Sequence, residues 1–478
     1  MTKSVSSSRT EWFRDASYLG GKWVSPREQH RIDVENPATG EPIGAFSAAG
    51  SEDVDQAVAA ARTALPQWSG LEPAGRAELL RRLHRELTAR HDLLVDTVVA
   101  ELGAPVRLAR IDHIGYALSA LDTFCTLLET YPFEQQTRQS MIVKQAAGVV
   151  GCITPWNYPL YQIIAKLGAA LAAGCSVVLK PSELTPLTAF LFADAVAAAG
   201  LPAGTVNVVQ GLGSSVGARL AAHPGVDVVS FTGSTTIGSQ VAAVAAGQIK
   251  RVCLELGGKS ASVLLPDADF DAAIAATVAS ATYNSGQTCS SLTRLLVPHD
   301  RYHAAVTAAV EQANALVVGA PEDEATDLGP LVSAQQRRRV NGYLERARAD
   351  SARIDTAVPV GGPGHFVSPT IVSDVTPSAE IAQEEVFGPV LCVLPYNDVE
   401  QAIAIANGTK YGLAAAVWSA DAAGAVAVAR RLEAGQVEVN GADPNLAAPF
   451  GGFKQSGIGR ELGSAGMEEF LELKAIQR

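Results

Sequence analysis

From about residue 148 the chain alternates short apolar runs with Ala- and Leu-rich stretches of helical length. The runs GVVGCI, SVVLK, VNVVQ, VDVVSF and KRVCLEL are each too short for a helix and have the β-branched character of buried strands. A second such stretch runs from about 260 to 450, with SASVLL, RLLVP and VLCVLPY as its strands. Strand runs alternating with helical stretches predict βαβ units around mostly parallel sheets. Ligands in such sheets bind beyond the carboxyl ends of the strands, so the residues just after each run are the ones to inspect for chemistry. Before residue 148 the pattern is helical. Leu79, Leu80, Leu83 and Leu87 recur at helical spacing, interleaved with Arg76, Arg81, Arg82 and Arg85, which predicts an apolar stripe with a solvated basic face. The first dozen residues are expected to be disordered. The polar, β-leaning segment YPFEQQTRQSMIVKQAAG reads as a hairpin arm reaching out of the first domain, and no internal repeat is visible.

Composition narrows the function classes. With 478 residues, 47% hydrophobic and 18% charged, the chain holds roughly three domains' worth of sequence and is neither disordered nor fibrous. A net charge of −12 gives no attraction for phosphate backbones or anionic membrane surfaces. The longest apolar run, Leu167 to Leu179, falls short of the ~20 residues a membrane span requires. The start, MTKSVSSSRTEWF, lacks the apolar stretch of a signal peptide, so a soluble cytoplasmic protein is expected. Six cysteines, at 125, 152, 175, 253, 289 and 392, form no CxxC pair and no zinc-spaced cluster. They read as reduced thiols, most of them core residues and one a candidate nucleophile, with no metal site.

Two generic motifs fail. Gly257, Gly258, Lys259 and Ser260 look like the tail of a P-loop, but the glycine required six residues before the lysine is Cys253,. Gly213 to Gly217 match the G-x-S-x-G nucleophile elbow. Yet His299, His303 and His365 stand in no distinctive setting for a triad,.

Read together, the strand ends carry more. Ile153, Thr154, Pro155, Trp156, Asn157 and Tyr158 follow the first run, and Lys180, Ser182 and Glu183 follow the second. Phe231, Thr232, Gly233, Ser234, Ile237 and Gly238 follow the fourth, and Glu255, Leu256 and Gly257 the fifth. Downstream stand Gly286-Gln287-Thr288-Cys289, then Glu384-Glu385-Val386-Phe387, then Pro449-Phe450-Gly451-Gly452. In order and spacing these resemble the NAD(P)-dependent aldehyde dehydrogenase superfamily over nearly the whole chain, from Asn36-Pro37 to the last twenty residues. The resemblance implies an α/β fold with a Rossmann-like cofactor domain (1–126 and 147–255), an α/β catalytic domain (256–455) and a small β oligomerisation arm (127–146 and 456–478).

It also implies roles. Cys289 matches the nucleophile, because hydride can leave only from a tetrahedral adduct that a thiolate makes on the carbonyl. Asn157 matches the oxyanion donor and Glu255 the base that activates water against the thioester, with its action on the Cys289 thiol left open. Lys166 and Glu472 align with a pair that serves Glu255 as a proton path. Gly233 and Gly238 match the family's glycine turn at a helix N-terminus, with Gly213 and Gly217 nearby. Lys180 and Glu183 would reach the ribose hydroxyls; the carboxylate favours NAD, and Ser182 leaves NADP open. Glu385 and Phe387 would hold the nicotinamide ribose and ring, with Gln336 and Arg339 at a further contact position. Tyr158, Tyr161, Thr288, Ser290, Phe450, Asn445 and Leu446 would wall the aldehyde tunnel. Those walls offer no arginine for a carboxylate, and Ala165 stands where an aromatic cage for quaternary ammonium would need a large ring, so a neutral aliphatic or aromatic aldehyde is expected. Family arms assemble dimers or tetramers. A CoA-acylating enzyme is the rival that Glu255 argues against, and an inactive binding protein is the rival that the intact Cys289, Asn157 and Glu255 argue against.

Overall fold

The computed structural model describes residues 13–27, 30–357 and 362–478. The first dozen residues, expected to be disordered, lie outside the described residues. The five apolar runs after residue 148 form the parallel strands Val149–Ile153, Ser176–Lys180, Val206–Val208, Val228–Thr232 and Arg251–Glu255. Across the sheet they stand in the order fifth, fourth, first, second, third. The order reverses between the first and the fourth, so the connections after Ile153 and after Thr232 leave in opposite directions and open a crevice. Short antiparallel strands complete this eight-stranded sheet: Ser17–Leu19 and Lys22–Val24 on one side, Gly457–Ile458 on the other. Two or three residues long, they carry no periodic signal.

A seven-stranded sheet runs Arg353–Thr356, Thr370–Ser373, Val390–Tyr396, Leu292–Pro298, Ser260–Leu264, Ala414–Trp418, Gln436–Val439. It is parallel except for its first pair. The predicted arm is an antiparallel sheet of Glu134–Thr137, Ser140–Ala146 and Leu471–Gln477. Its C-terminal part begins at Leu471 rather than 456, because Gly457–Ile458 pairs with Leu254 and Glu255.

The helix Pro159–Ala173 aims its first turn at the crevice. Pro159 opens it, where a missing N–H costs nothing. Gly174, at φ 94°, ends it,. Every residue of this helix except Tyr161 is buried, and a Cβ on Gly168 would stand 2.8 Å from the Phe124 ring. The helix Pro73–Thr88 buries Leu80, Leu83 and Leu87 completely against this core and leaves Leu79 half-buried. Shortening one of the three to Ala would cost about 2–5 kcal/mol. Arg76 corrects the expected solvated face: it is buried, donating to the Leu71 and Ala172 carbonyls. No helix among the described residues is long and apolar enough to cross a membrane.

Candidate active site

Cys289 follows a tight loop, Tyr283–Gly286, in which Asn284 (φ 52°), Ser285 (φ 58°) and Gly286 (φ 74°) are consecutively left-handed. Side chains are rarely held so, and such strain persists only where surroundings over-determine it. Here Asn284 donates to the Asn157 carbonyl at 2.9 Å, Ser285 Oγ to the Gly329 carbonyl at 2.9 Å, and Gln287 Nε2 to the Asn284 carbonyl at 3.1 Å. The Val332 N–H closes the set on Gln287 Oε1 at 2.9 Å. Gly286 has no alternative, since its Cβ would lie 2.0 Å from the Gly388 carbonyl carbon. Gly258 is needed for the same reason, 2.6 Å from the Cys289 carbonyl oxygen. Asn157, almost fully buried between strand and helix, points its amide into this loop and donates to the Gln287 carbonyl at 3.0 Å.

Glu255 ends the strand Arg251–Glu255 at 2% exposure, and neither carboxylate oxygen has a partner at full hydrogen-bond geometry. Burial, and next the charge of Glu461, push its pKa up to about 8, against the pull of Lys166 and the Cys289 thiol. Cys289, half-buried at the crevice, is pushed well above the usual thiol range, by burial first and then by Glu255. Each group therefore disfavours the ionised form of the other,.

The expected pairing of Lys166 with Glu472 is corrected. Lys166, with no exposed side-chain surface, pairs with Glu461. Glu472 lies on the exposed strand Leu471–Gln477 and pairs with Arg251 at 2.8 Å. The helix carrying Lys166 lies under the crevice, on the side where the Gly457–Ile458 strand brings Glu461 back, whereas Glu472 has already entered the arm.

A cleft of about 590 Å³ joins Cys289, Asn157 and Glu255 to the ends of the first and fourth strands. Pro155, Trp156, Thr232, Gly233, Ser234 and Leu256 line it. Ile153 and Phe231 are buried just behind, in the strands. The Thr154 and Thr232 hydroxyls are buried without a partner. Ser234 caps the helix Thr235–Ala246 by accepting from the Ile237 N–H at 3.4 Å, leaving a helix N-terminus open toward the cleft,. Gly238 is fixed by Leu256, whose Cδ2 a Cβ would meet at 2.3 Å.

Lys180 bonds Glu183 at 2.7 Å. Burial opposes the Glu183 charge, but Lys180 and the backbone N–H groups of Glu183 and Gly213 outweigh it, so its pKa falls below the ordinary value. Gly213 and Gly217 pass within 4.0 Å of Lys180, counted from where their Cβ atoms would be. This is the conformational use of the G-x-S-x-G segment. Its Ser215 is exposed, while His365 is bonded to Glu35 and His299 and His303 follow a strand of the other large sheet. The Ser182 hydroxyl is occupied in a turn, accepting from the Leu184 N–H at 3.2 Å.

On the far wall Glu385 accepts from the Gly258 N–H at 3.2 Å, and its carboxylate is why Gly257 has no side chain, with Oε2 at 2.4 Å from a would-be Cβ. Burial raises Glu385 to about 7. Phe387 (φ 62°) sets its ring edge-on to Trp156 at 5.4 Å. Gln336 and Arg339 also line the cleft and hold this segment, donating to the Phe387 and Glu385 carbonyls at 2.7 Å each.

Tyr158 reaches Thr288 Oγ1 at 2.7 Å and stands edge-on to Tyr161. Phe450 and Leu446 pack on the same apolar cluster as Tyr161. Thr288 and Ser290 flank Cys289, half-buried, and Asn445 is exposed in the loop before Phe450. Sequence reading missed Glu461, His113, Asp112 and Asn284. The one available signal for Asn284 is its place five residues before Cys289; Glu461 has none, because its partner is distant in sequence.

The sequence profile of the aldehyde dehydrogenase family matches residues 23–476. The chain is 44% identical over 465 residues to the 3-succinoylsemialdehyde-pyridine dehydrogenase of a Pseudomonas species, covering 96% of this chain and 97% of that one. It is 41% identical over 473 residues to the geranial dehydrogenase of Castellaniella defragrans, covering 96% and 98%. Among solved structures it superposes with a TM-score of 0.96, at 44% identity and 97% and 96% coverage, on a cysteine-to-alanine mutant of aldehyde dehydrogenase C from Pseudomonas syringae in complex with NAD+ and octanal. The Mycobacterium tuberculosis aldehyde dehydrogenase complexed with NAD+ superposes at 0.95, with 39% identity and 98% of each chain covered. With its motifs, sheets and cleft in this arrangement, the chain belongs to the aldehyde dehydrogenase family.

Proposed function

We propose that this aldehyde dehydrogenase uses NAD to oxidise a neutral, mainly apolar aldehyde, with water, to the carboxylic acid. The observation that carries the reading is Glu255, a buried carboxyl with neither oxygen held at full hydrogen-bond geometry, raised to about 8 beside the Cys289 thiol. As Cys289 Sγ adds to the carbonyl carbon, its proton passes to Glu255. Asn157 Nδ2, with the Cys289 backbone N–H, receives the developing alkoxide; one such donor is worth about 2.7–4 kcal/mol. NAD, when bound, supplies the hydride acceptor that leaves an acyl thioester on the protein. Glu255, its proton lost to solvent, then takes a proton from water as the water attacks the thioester, and Cys289 departs as thiolate.

The residues present fit the cofactor. The open helix N-terminus behind Ser234 suits a pyrophosphate, and the unpaired Thr232 hydroxyl offers a hydrogen bond at the cleft. Lys180 and Glu183 suit ribose hydroxyls, and the fixed charge of Glu183 repels a 2′-phosphate, which favours NAD over NADP. Tyr158, Tyr161 and Phe450 supply aromatic walls, in keeping with a relative of 44% identity that holds octanal. The arm serves assembly: Leu473 is 70% exposed on an outer strand of its sheet, where pairing with a second copy would cover it in a dimer or tetramer.

A panel of aliphatic and aromatic aldehydes with NAD or NADP, followed by absorbance of the reduced cofactor, tests the reading. Medium-chain and aromatic aldehydes should be turned over with NAD. Reduction of neither cofactor by any of them overturns it.

A further inference from the structure

The strained loop before Cys289 has a second set of supports, on elements that the mechanism does not use. Between the helices Val106–Leu108 and Tyr116–Thr130 the chain forms a π-helical turn, Ala109–Gly115. Such widened turns commonly re-aim side chains at functional sites. This one buries two adjacent polar residues, Asp112 and His113. Asp112 is in hydrogen-bonding contact with the Tyr283 hydroxyl. His113 lies flat on the Tyr158 ring, with centroids 4.5 Å apart and planes 20° apart. Neither of its ring nitrogens has a partner at full hydrogen-bond geometry. The Asn284 side chain is the polar group acting on the ring, against the burial that keeps it neutral.

Two successive residues of the turn thus meet two successive residues of the loop, Tyr283 and Asn284. The stack adds a second path, because Tyr158 reaches Thr288 Oγ1 at 2.7 Å, one residue from the thiol. Asn284 itself ties the loop to the Asn157 carbonyl at 2.9 Å. A buried histidine without full hydrogen bonds calls for an explanation, and a flat aromatic body with a polar edge is what this junction requires.

We propose that His113, seconded by Asp112, is a positioning residue that fixes the loop carrying Cys289 by bracing Tyr158 and Asn284 together. The proposal rests on Cys289 being the nucleophile. His113 touches neither substrate nor cofactor and acts through those two side chains.

The test uses the full chain with His113→Ala, His113→Phe, Asn284→Ala and the double variant His113→Phe with Asn284→Ala. Three quantities are read: the rate at which iodoacetamide alkylates Cys289, kcat, and the dissociation constant for NAD. His113→Ala should slow alkylation and kcat by about tenfold or more, as expected when a reacting group is misplaced by a fraction of an ångström. NAD affinity should stay within about twofold, since the cofactor cleft is built from other elements. His113→Phe, which restores the stack and keeps the fold, should recover part of the loss. The double variant should be no slower than Asn284→Ala alone, the mark of residues acting through one contact. Wild-type alkylation and kcat in His113→Ala, independent multiplication of the two effects, or NAD affinity falling in step with kcat would each overturn the proposal. Failure of the nucleophile assignment shows separately, as turnover retained by Cys289→Ala.

Discussion

Glu183 and Glu255 both stand at strand ends of one sheet, yet the protein treats them in opposite ways. Glu183 is half-exposed, bonded to Lys180 at 2.7 Å and supported by backbone N–H groups, and its pKa is lowered. Glu255 is almost fully buried, without a firm partner, beside an anion already committed to Lys166, and is raised to about 8. The first is a fixed charge, the second a carboxyl whose proton can come and go near neutral pH. Pairs of like groups whose surroundings drive their proton affinities apart mark the division between binding and acid–base work.

The comparison breaks most visibly at the thiol beside Glu255. Cys289→Ala should lower turnover by more than about 10⁴-fold, while NAD binding, measured by fluorescence quenching, persists because the cleft side chains are untouched. Turnover within tenfold of wild type would remove Cys289 from the chemistry.

Next comes Glu255 itself. Glu255→Gln should lower steady turnover by about 10²–10⁴-fold. If water activation is its main task, a burst of reduced cofactor near one per site precedes the stall and an acyl adduct is found on the Cys289 peptide by mass spectrometry. If it also takes the thiol proton, the burst slows as well. With Glu255 as the base, the ionised carboxylate would be the active form, so kcat/KM should rise with pH and reach half its maximum near pH 8. Glu183, already charged throughout that range, should contribute nothing to this rise. A profile flat between pH 6 and 9 would contradict the assignment.

A smaller effect is expected at the fixed charge. Glu183→Ser should narrow the NAD-over-NADP ratio of kcat/KM by about tenfold, one charge repulsion of about 1.4 kcal/mol at a half-exposed site. The ratio is read from initial rates with both cofactors. An unchanged ratio would mean that the carboxylate does not face the 2′-position.

How far all this was legible in the sequence depends on chain distance. The parallel strands announced themselves through apolar runs, and Cys289, Asn157 and Glu255 through local motifs that a resemblance could place. Ser17–Leu19, Lys22–Val24 and Gly457–Ile458 did not, because strands so short are formed by the sheet edge they join. Arg76 looked like a solvated arginine until the Ala172 carbonyl, 96 residues on, came to meet its side chain. Glu461 was missed for the same reason. It lies 295 residues from Lys166, and the choice between it and Glu472 turns on where a two-residue strand leaves the sheet.

That choice yields the finest test of the contrast between the two carboxyls. Glu461 raises Glu255 by its negative charge, and by neutralising Lys166 it also limits the opposite pull of that ammonium. Glu461→Gln removes the first influence and frees the second, and both favour the ionised Glu255. The midpoint of the kcat/KM rise should therefore move down by about one unit, so the variant is relatively more active below pH 7 and no faster above pH 9. Leaving Lys166 buried and unpaired has a structural cost of about 3–5 kcal/mol, which thermal denaturation would show as a lower Tm. Pairing Lys166→Met with Glu461→Gln removes both charges at once, should recover much of that stability, and should leave a smaller shift. Glu472→Gln is the control, since that residue lies on the exposed arm beside Arg251. If Glu472→Gln moves the midpoint and Glu461→Gln does not, the electrostatic setting of Glu255 is not the one the buried pair defines.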